Sequence, residues 1–293
     1  MRLLLLALLL LAGEAFGLLA QLDHNLDRFI ITALLQGAIW AVAAVVVARR
    51  AERPPLALIL VTAALMRLGA LAAPVYLSDD IYRYIWDGRV QAAGINPYRY
   101  IPTDTHLASL RDEAVFPNIN RSNYAPTIYP PVAQMVFFAA TRFGETVPAI
   151  KLVLVAVEAV GIGALLLVLR SVGAPRQNIL LYAWHPLPVW EIAGSGHIDA
   201  AVVAFVAIAL AAAALVKFFP VVLVPALWRP AKSNLLDWRW LSAFSGVVFA
   251  AYLPYLSVGP RVLGFLPGYM TEEKLSSGAW ASLVGHRFLV HER

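Results

Sequence analysis

LALILVTAALMRLGALAAPVYLSDDIYRYIWDGRVQAAGINPYRYI, residues 56–101, runs from an apolar span straight into a pair of adjacent carboxylates. The apolar part covers about 56–73, and Asp79 and Asp80 stand just where it ends. Charged groups in or near a bilayer are costly and tend to mark function. After Ser78, which has the chemistry of an N-cap, DDIYRYIWDGRVQAAG reads as an amphipathic helix. Ile81, Ile85 and Gly88 share one stripe, and Asp80, Arg83 and Asp87 share another. Tyr82, Tyr84 and Trp86 suit the headgroup belt, so this helix is expected to lie on the membrane surface.

The rest of the chain sets that stretch in a membrane. Of 293 residues, 60% are hydrophobic and 14% charged, with a mean hydropathy of +0.71. Soluble domains run at roughly 45–50% apolar and about 25% charged. Apolar segments cover about 3–20, 29–48, 56–73, 149–169, 178–193, 200–227 and 240–256, with a shorter one at 131–143. The first also has the makings of a signal peptide, with Arg2, a leucine core and small residues near Ala12. The expected fold is an all-α polytopic transmembrane bundle of about 7–9 spans or half-spans. It forms one integral membrane domain over residues 1–293.

Basic clusters at Arg49, Arg50 and Arg53, at Arg170 and Arg176, and at Arg229, Lys232 and Arg239 place those loops on the cytoplasmic side. Residues 74–130 and 194–199 then fall on the outer side. For this parity to hold, 131–143 must be a re-entrant or surface piece, since it is too short to cross. The net charge of +5 is thus an orientation signal, and no basic stripe with interleaved aromatics points to nucleic acid. The chain has no cysteine, which excludes disulfides and thiolate metal sites. No phosphate-binding glycine loop, zinc-protease helix or nucleophile elbow occurs, so nucleotide-driven transport has no support.

Two readings of Asp79 and Asp80 stand side by side. Acids in a first helical turn complement the helix dipole, and Asp79 with Arg83 makes a well-oriented i, i+4 pair. Alternatively, one carboxylate deprotonates a hydroxyl nucleophile. Beyond the helix, Asn96, Tyr98, Tyr100, Tyr124 and Tyr129 sit in proline-stiffened loops. Such aromatic and amide groups line sugar sites, and they equally make an interfacial belt. A second polar knot, EIAGSGHIDA, holds Glu191, His197 and Asp199 between apolar segments. His197 and Asp199 at i, i+2 with no third partner make a poor metal site. Lys217, flanked by apolar residues, either snorkels to the interface or meets a phosphate.

Taken together, SDDIYRYIWDGRVQAAGINPYRY, TIYPPVAQ, YAWHPLPVWEIAGSGHIDA and LVKFFPVVLVPAL resemble the GT-C superfamily of membrane glycosyltransferases. More narrowly, the chain is similar to bacterial polyprenol-phosphate-mannose-dependent mannosyltransferases of the glycosyltransferase 87-like kind. The likeness spans roughly residues 56–260. It implies a catalytic loop at 74–130 on the outer face and a base at Asp79 or Asp80, with Asp80 favoured. Tyr82, Arg83, Asp87, Asn96, Tyr98, Tyr129, His197, Asp199 and Lys217 would bind substrate. The implied reaction moves a sugar, mannose by resemblance, from a polyprenyl-phosphate donor to a lipid or glycan acceptor at the outer face of a bacterial inner membrane. No cofactor and no metal site is implied. Adjacent carboxylates in one turn cannot easily flank a glycosidic bond, which argues against a hydrolase.

Three departures from the resembled pattern stand out. His185 occupies the usual Asn position, the stretch from Asp199 to Lys217 is shortened, and the chain ends soon after 260, so a C-terminally truncated member is expected. The competing functions are a non-catalytic relative that binds lipid-linked glycans and a transporter or flippase. Of these, the transporter has a foothold only in the proline-broken 200–227 segment.

Overall fold

The computed structural model describes residues 2–49, 54–171, 174–206 and 238–272, and every regular element among them is helical. Helices α1 (Arg2–Leu22) and α2 (Leu26–Ala48) pack along each other. Asn25 caps α2, its side-chain oxygen accepting from the Arg28 amide at 3.0 Å. Helix α3 (Leu56–Ala70) lies against α1, and α4 (Asp80–Ala92) follows it. An irregular segment with 3-10 turns at Thr105–Leu110 and Phe116–Asn118 leads to α5 (Pro131–Thr141) and α6 (Val147–Ser171).

Among the described residues, three helices are long and apolar enough to cross a bilayer: α1, α2, and residues 147–167 of α6. Helix α5, at 11 residues, covers about 17 Å at 1.5 Å per residue, well short of a roughly 30 Å hydrocarbon core. This is a short piece where the sequence predicts one.

The expected continuous span over 178–193 does not form. Its place is taken by a 3-10 turn (Arg176–Ile179), α7 (Leu180–Ala183), α8 (Pro186–Pro188) and a π-helical turn (Val189–Gly194). Pro186 and Pro188 are the cause, because proline lacks the amide donor and disfavours the helical conformation in the residue before it, and His185 is accordingly extended. His185 caps the restart, Nδ1 accepting from the Leu187 amide at 3.1 Å, a role an Asn side chain also fills. Beyond the turn come α9 (Asp199–Val206), α10 (Trp238–Tyr252), a 3-10 run (Leu253–Leu263) and α11 (Leu266–Glu272). The rest of the 200–227 segment, with Lys217 and Pro220, lies outside the described residues.

Two apolar clusters meet across α6. One joins α1, α2 and α3 to the broken 179–193 run, with Leu10, Ile59, Met66, Trp184 and Trp190 at its centre. The other joins α4, α5 and α6 through Ile81, Ile85, Phe137 and Ile150. Polar side chains pin the helices where packing alone would let them slide. Arg67 of α3 meets Glu158 of α6 through two hydrogen bonds of 2.7 and 2.8 Å, both side chains being buried. Arg67 also donates to the Ala183 carbonyl, and the Tyr182 hydroxyl to Glu158. Gln36 ties α2 to α1 through Glu14 and accepts from the Trp190 indole.

Helix α4 differs from its expectation. It is enclosed by α5, α6 and the outer 3-10 turns instead of lying open on a surface. Tyr84 and Trp86 are each 1% exposed, Tyr84 stacking on Phe137 and Trp86 against Phe116, so neither joins a headgroup belt. Tyr82 keeps partial exposure. The helix ends where the sequence predicts: Gly94 takes φ +73°, and the amides of Gly94 and Ile95 donate to the carbonyls of Gln91 and Val90.

Gly88 lets α5 come close. A Cβ there would lie 2.6 Å from the Phe137 carbonyl oxygen and 2.5 Å from the Thr141 methyl. Gly88→Ala is therefore expected to push α4 from α5 and cost about 1–3 kcal/mol of stability. Thermal unfolding in detergent measures this, and an unchanged midpoint would contradict the contact.

Candidate functional site

At the start of α4 the side-chain contact to the backbone comes from Ser78. The Ser78 hydroxyl accepts from the Asp80 amide at 3.3 Å, whereas the Asp79 side chain makes no capping bond. Arg83 does not pair with Asp79 as the i, i+4 spacing predicts. Its Nε donates instead to Asp87 at 3.0 Å, one turn in the other direction, and its remaining nitrogens reach the Ala125 carbonyl at 3.3 Å. Burial explains the choice: Arg83 is 5% and Asp87 1% exposed, and a buried charge needs a buried counter-charge, whereas Asp79 is exposed. Gln134 completes Asp87, donating at 2.8 Å and also donating to Thr127.

Asp79 and Asp80 are instead bridged by one side chain from the irregular segment between α4 and α5. The Asn120 amide nitrogen donates to Asp79 Oδ1 at 2.8 Å and to Asp80 Oδ1 at 3.2 Å. Asp80 then opens into a small recess of about 20 Å³, lined also by Arg83, Asn120, Arg121, Ala125, Pro126, Ile128 and Tyr129. Asp80 is the one carboxylate among these lining residues. Behind it, Tyr84 and Tyr129 meet edge to face at 5.0 Å. Burial raises both phenols well above their ordinary value. The Asp80 charge adds to the shift in Tyr84, and in Tyr129 Tyr84 and Asp80 do. Both hydroxyls thus stay protonated beside the carboxylate.

The second polar knot comes to the same place. Gly196, at φ +75°, passes so close to α4 that a Cβ would sit 2.5 Å from the Ile81 methyl, which only glycine permits. The π-helical turn aims Glu191 at His197, whose Nδ1 it holds, while His197 Nε2 is buried with no hydrogen-bond partner among the described residues. Burial pulls the His197 value down, but the Glu191 bond and the charges of Asp80 and Asp199 outweigh it, and the net shift is upward. A histidine raised in the fold adds stability that is whole below its ordinary value, near 6.5, and is lost as pH climbs through the raised one. The thermal midpoint is thus expected to fall as pH rises above about 6.5, and to fall less in Glu191→Gln. Equal pH slopes for both proteins would contradict the pairing.

The remaining candidates are placed as follows. Asn96 accepts from the Tyr98 amide and donates to the Tyr255 carbonyl at 3.0 Å and to Ser257 Oγ at 3.1 Å, tying the outer segment to the C-terminal run. Tyr98 is buried, its hydroxyl donating to the Tyr129 carbonyl at 2.7 Å. Tyr82 stands in the first turn of α4, its amide donating to the Asp79 carbonyl. Asp199 opens α9, and its charge acts on His197 and Tyr84. Lys217 lies outside the described residues. Of these, Asp80, Arg83 and Tyr129 line the recess itself. Asn120 and Arg121 escaped the sequence reading. They lie 40 or more positions beyond Asp80, in an irregular stretch with no periodicity to flag them.

An all-helical membrane protein with a carboxylate-edged recess against one end of its bundle is the class this architecture defines. Residues 9–252 match the family model described as MptA_B family, alpha-(1->6)-mannopyranosyltransferase, N-terminal domain, and the chain belongs to that family. The match agrees with the resemblance carried by the outer-loop motifs, and the family is one of glycosyltransferases. Searches of curated proteins and of solved structures return no match.

Proposed function

We propose that the protein transfers mannose from a polyprenyl-phosphate donor to a glycan or lipid acceptor at the outer face of a bacterial inner membrane, with Asp80 as base. The observation that carries this reading is the placement of Asp80, the one carboxylate among the residues lining the recess, beside Asn120 and Tyr129. The acceptor hydroxyl oxygen attacks the anomeric carbon as the bond to the phosphate oxygen breaks. The hydroxyl proton goes to the Asp80 carboxylate, and the polyprenyl phosphate leaves with the bonding electrons. A phosphate leaves readily, so no acid partner is required, and direct displacement inverts the anomeric centre.

Positioning and electrostatics supply the remainder of the rate. Asn120 fixes the two aspartates, and the orphaned His197 Nε2 offers a donor to a sugar oxygen. Asp87, enclosed by Arg83 and Gln134, supports the recess from behind. The test is transfer of labelled mannose from polyprenyl-phosphate mannose in membranes containing the protein. A new glycosidic bond with inverted configuration is expected. Donor binding with no transfer would replace this reading with a non-catalytic one, and transport across sealed vesicles without bond formation would replace it with a flippase.

A further inference from the structure

Arginines compete for the departing phosphate, and their pairings separate them. Arg83 is buried and spends its charge on Asp87. Arg89 is held between Asp112 and Glu145, each at 2.7 Å. Arg99 is exposed and does not line the recess. Arg121 does line it, with Asp80 on the same wall. Its counterion comes from elsewhere in the chain: Nε donates to Glu272 of α11 at 3.1 Å, and the two side chains are 31% and 37% exposed. Such a half-exposed pair is screened and readily exchanged. The Tyr269 ring faces the guanidinium with its centroid 5.6 Å away, so the plane is supported while in-plane bonds exchange. The Arg121 backbone is left-handed, at φ +51°, a strained state for a non-glycine residue that clusters at ligand sites.

The charges make the consequence specific. With Glu272 seated, both lining arginines are already neutralised, one by Asp87 and one by Glu272, while Asp80 remains. An anionic donor would meet a net negative wall. We infer that Arg121 is the phosphate anchor of the donor subsite and that Glu272 is a displaceable counterion which the phosphate replaces. This rests on the polyprenyl-phosphate reading above. A guanidinium presents a flat fork that fits two phosphate oxygens, and near Asp80 it would oppose the charge that develops on the leaving group.

The experiment measures equilibrium binding of undecaprenyl phosphate, uncharged undecaprenol and phosphatidylglycerol to the full chain in detergent. The variants are Arg121→Asn, which tolerates the left-handed backbone, Arg121→Lys and Glu272→Gln. Arg121→Asn is expected to weaken undecaprenyl phosphate about tenfold or more, the loss of a charge-assisted bond, while undecaprenol binding stays within about twofold. Arg121→Lys should fall between, and Glu272→Gln should tighten undecaprenyl phosphate because its competitor is gone. A purely structural tether predicts that Arg121→Asn and Glu272→Gln shift binding in the same direction, and that result would overturn the inference. Equal loss of undecaprenol or of phosphatidylglycerol in Arg121→Asn would overturn it too. A wild type that binds no undecaprenyl phosphate overturns the donor reading itself, whereas wild-type binding that survives Arg121→Asn overturns this inference alone.

Discussion

Asp80→Asn is expected to lower mannosyl transfer about 10²–10⁴-fold, the range a positioned general base contributes. Asparagine keeps the size of the side chain and its carbonyl oxygen can still accept from the Asn120 amide, so the local fold should persist. What it loses is the ability to take the acceptor's proton. The fall should appear in kcat at saturating donor, with donor binding little changed. Asp79→Asn should cost far less, since Asp79 is exposed and is not among the residues lining the recess. Full activity in both single variants and in the double would remove the base from this pair. A deep loss in Asp79→Asn with an active Asp80→Asn would exchange their roles.

The largest stability effect is expected at Glu158. Its carboxylate takes two hydrogen bonds from Arg67 and one from Tyr182, and it is fully buried. Glu158→Gln strands the Arg67 cation between α3 and α6, which is expected to cost about 3–5 kcal/mol. The readout is the apparent Tm in detergent and the yield of folded protein. Replacing both partners with methionine should recover much of the loss, because no uncompensated charge then remains. If Glu158→Gln unfolds at the wild-type temperature, the pair does not hold the two helices together.

How far these sites can be read from the chain depends on the range of the interactions that make them. The helix over 80–92, its glycine stop at Gly94 and the shortness of α5 follow from local chemistry and appear in the residues directly. The break at 185–188 was equally present in WHPLP, but apolar content hid it, since hydropathy averages over prolines that backbone geometry cannot ignore. The choice of Arg83 between Asp79 and Asp87 had the correct spacing in both directions. Only burial decided it, and burial is a property of what packs against the helix.

A chain 60% hydrophobic, with apolar stretches of about 20 residues and basic residues between them, points to membrane helices, because only helices and closed barrels satisfy the backbone in lipid and barrel strands are about half that length. The acidic stretch after Leu77 likewise marks itself, since carboxylates there have no apolar role to play. The tertiary structure alone decided which groups surround those carboxylates. Asn120 reaches Asp79 across 41 positions, and Glu272 reaches Arg121 across 151. Such pairings have no period and no spacing rule. They exist because α4, the outer segment, the 191–199 knot and α11 are packed to one point, and a sequence records the members of that contact without recording that they meet.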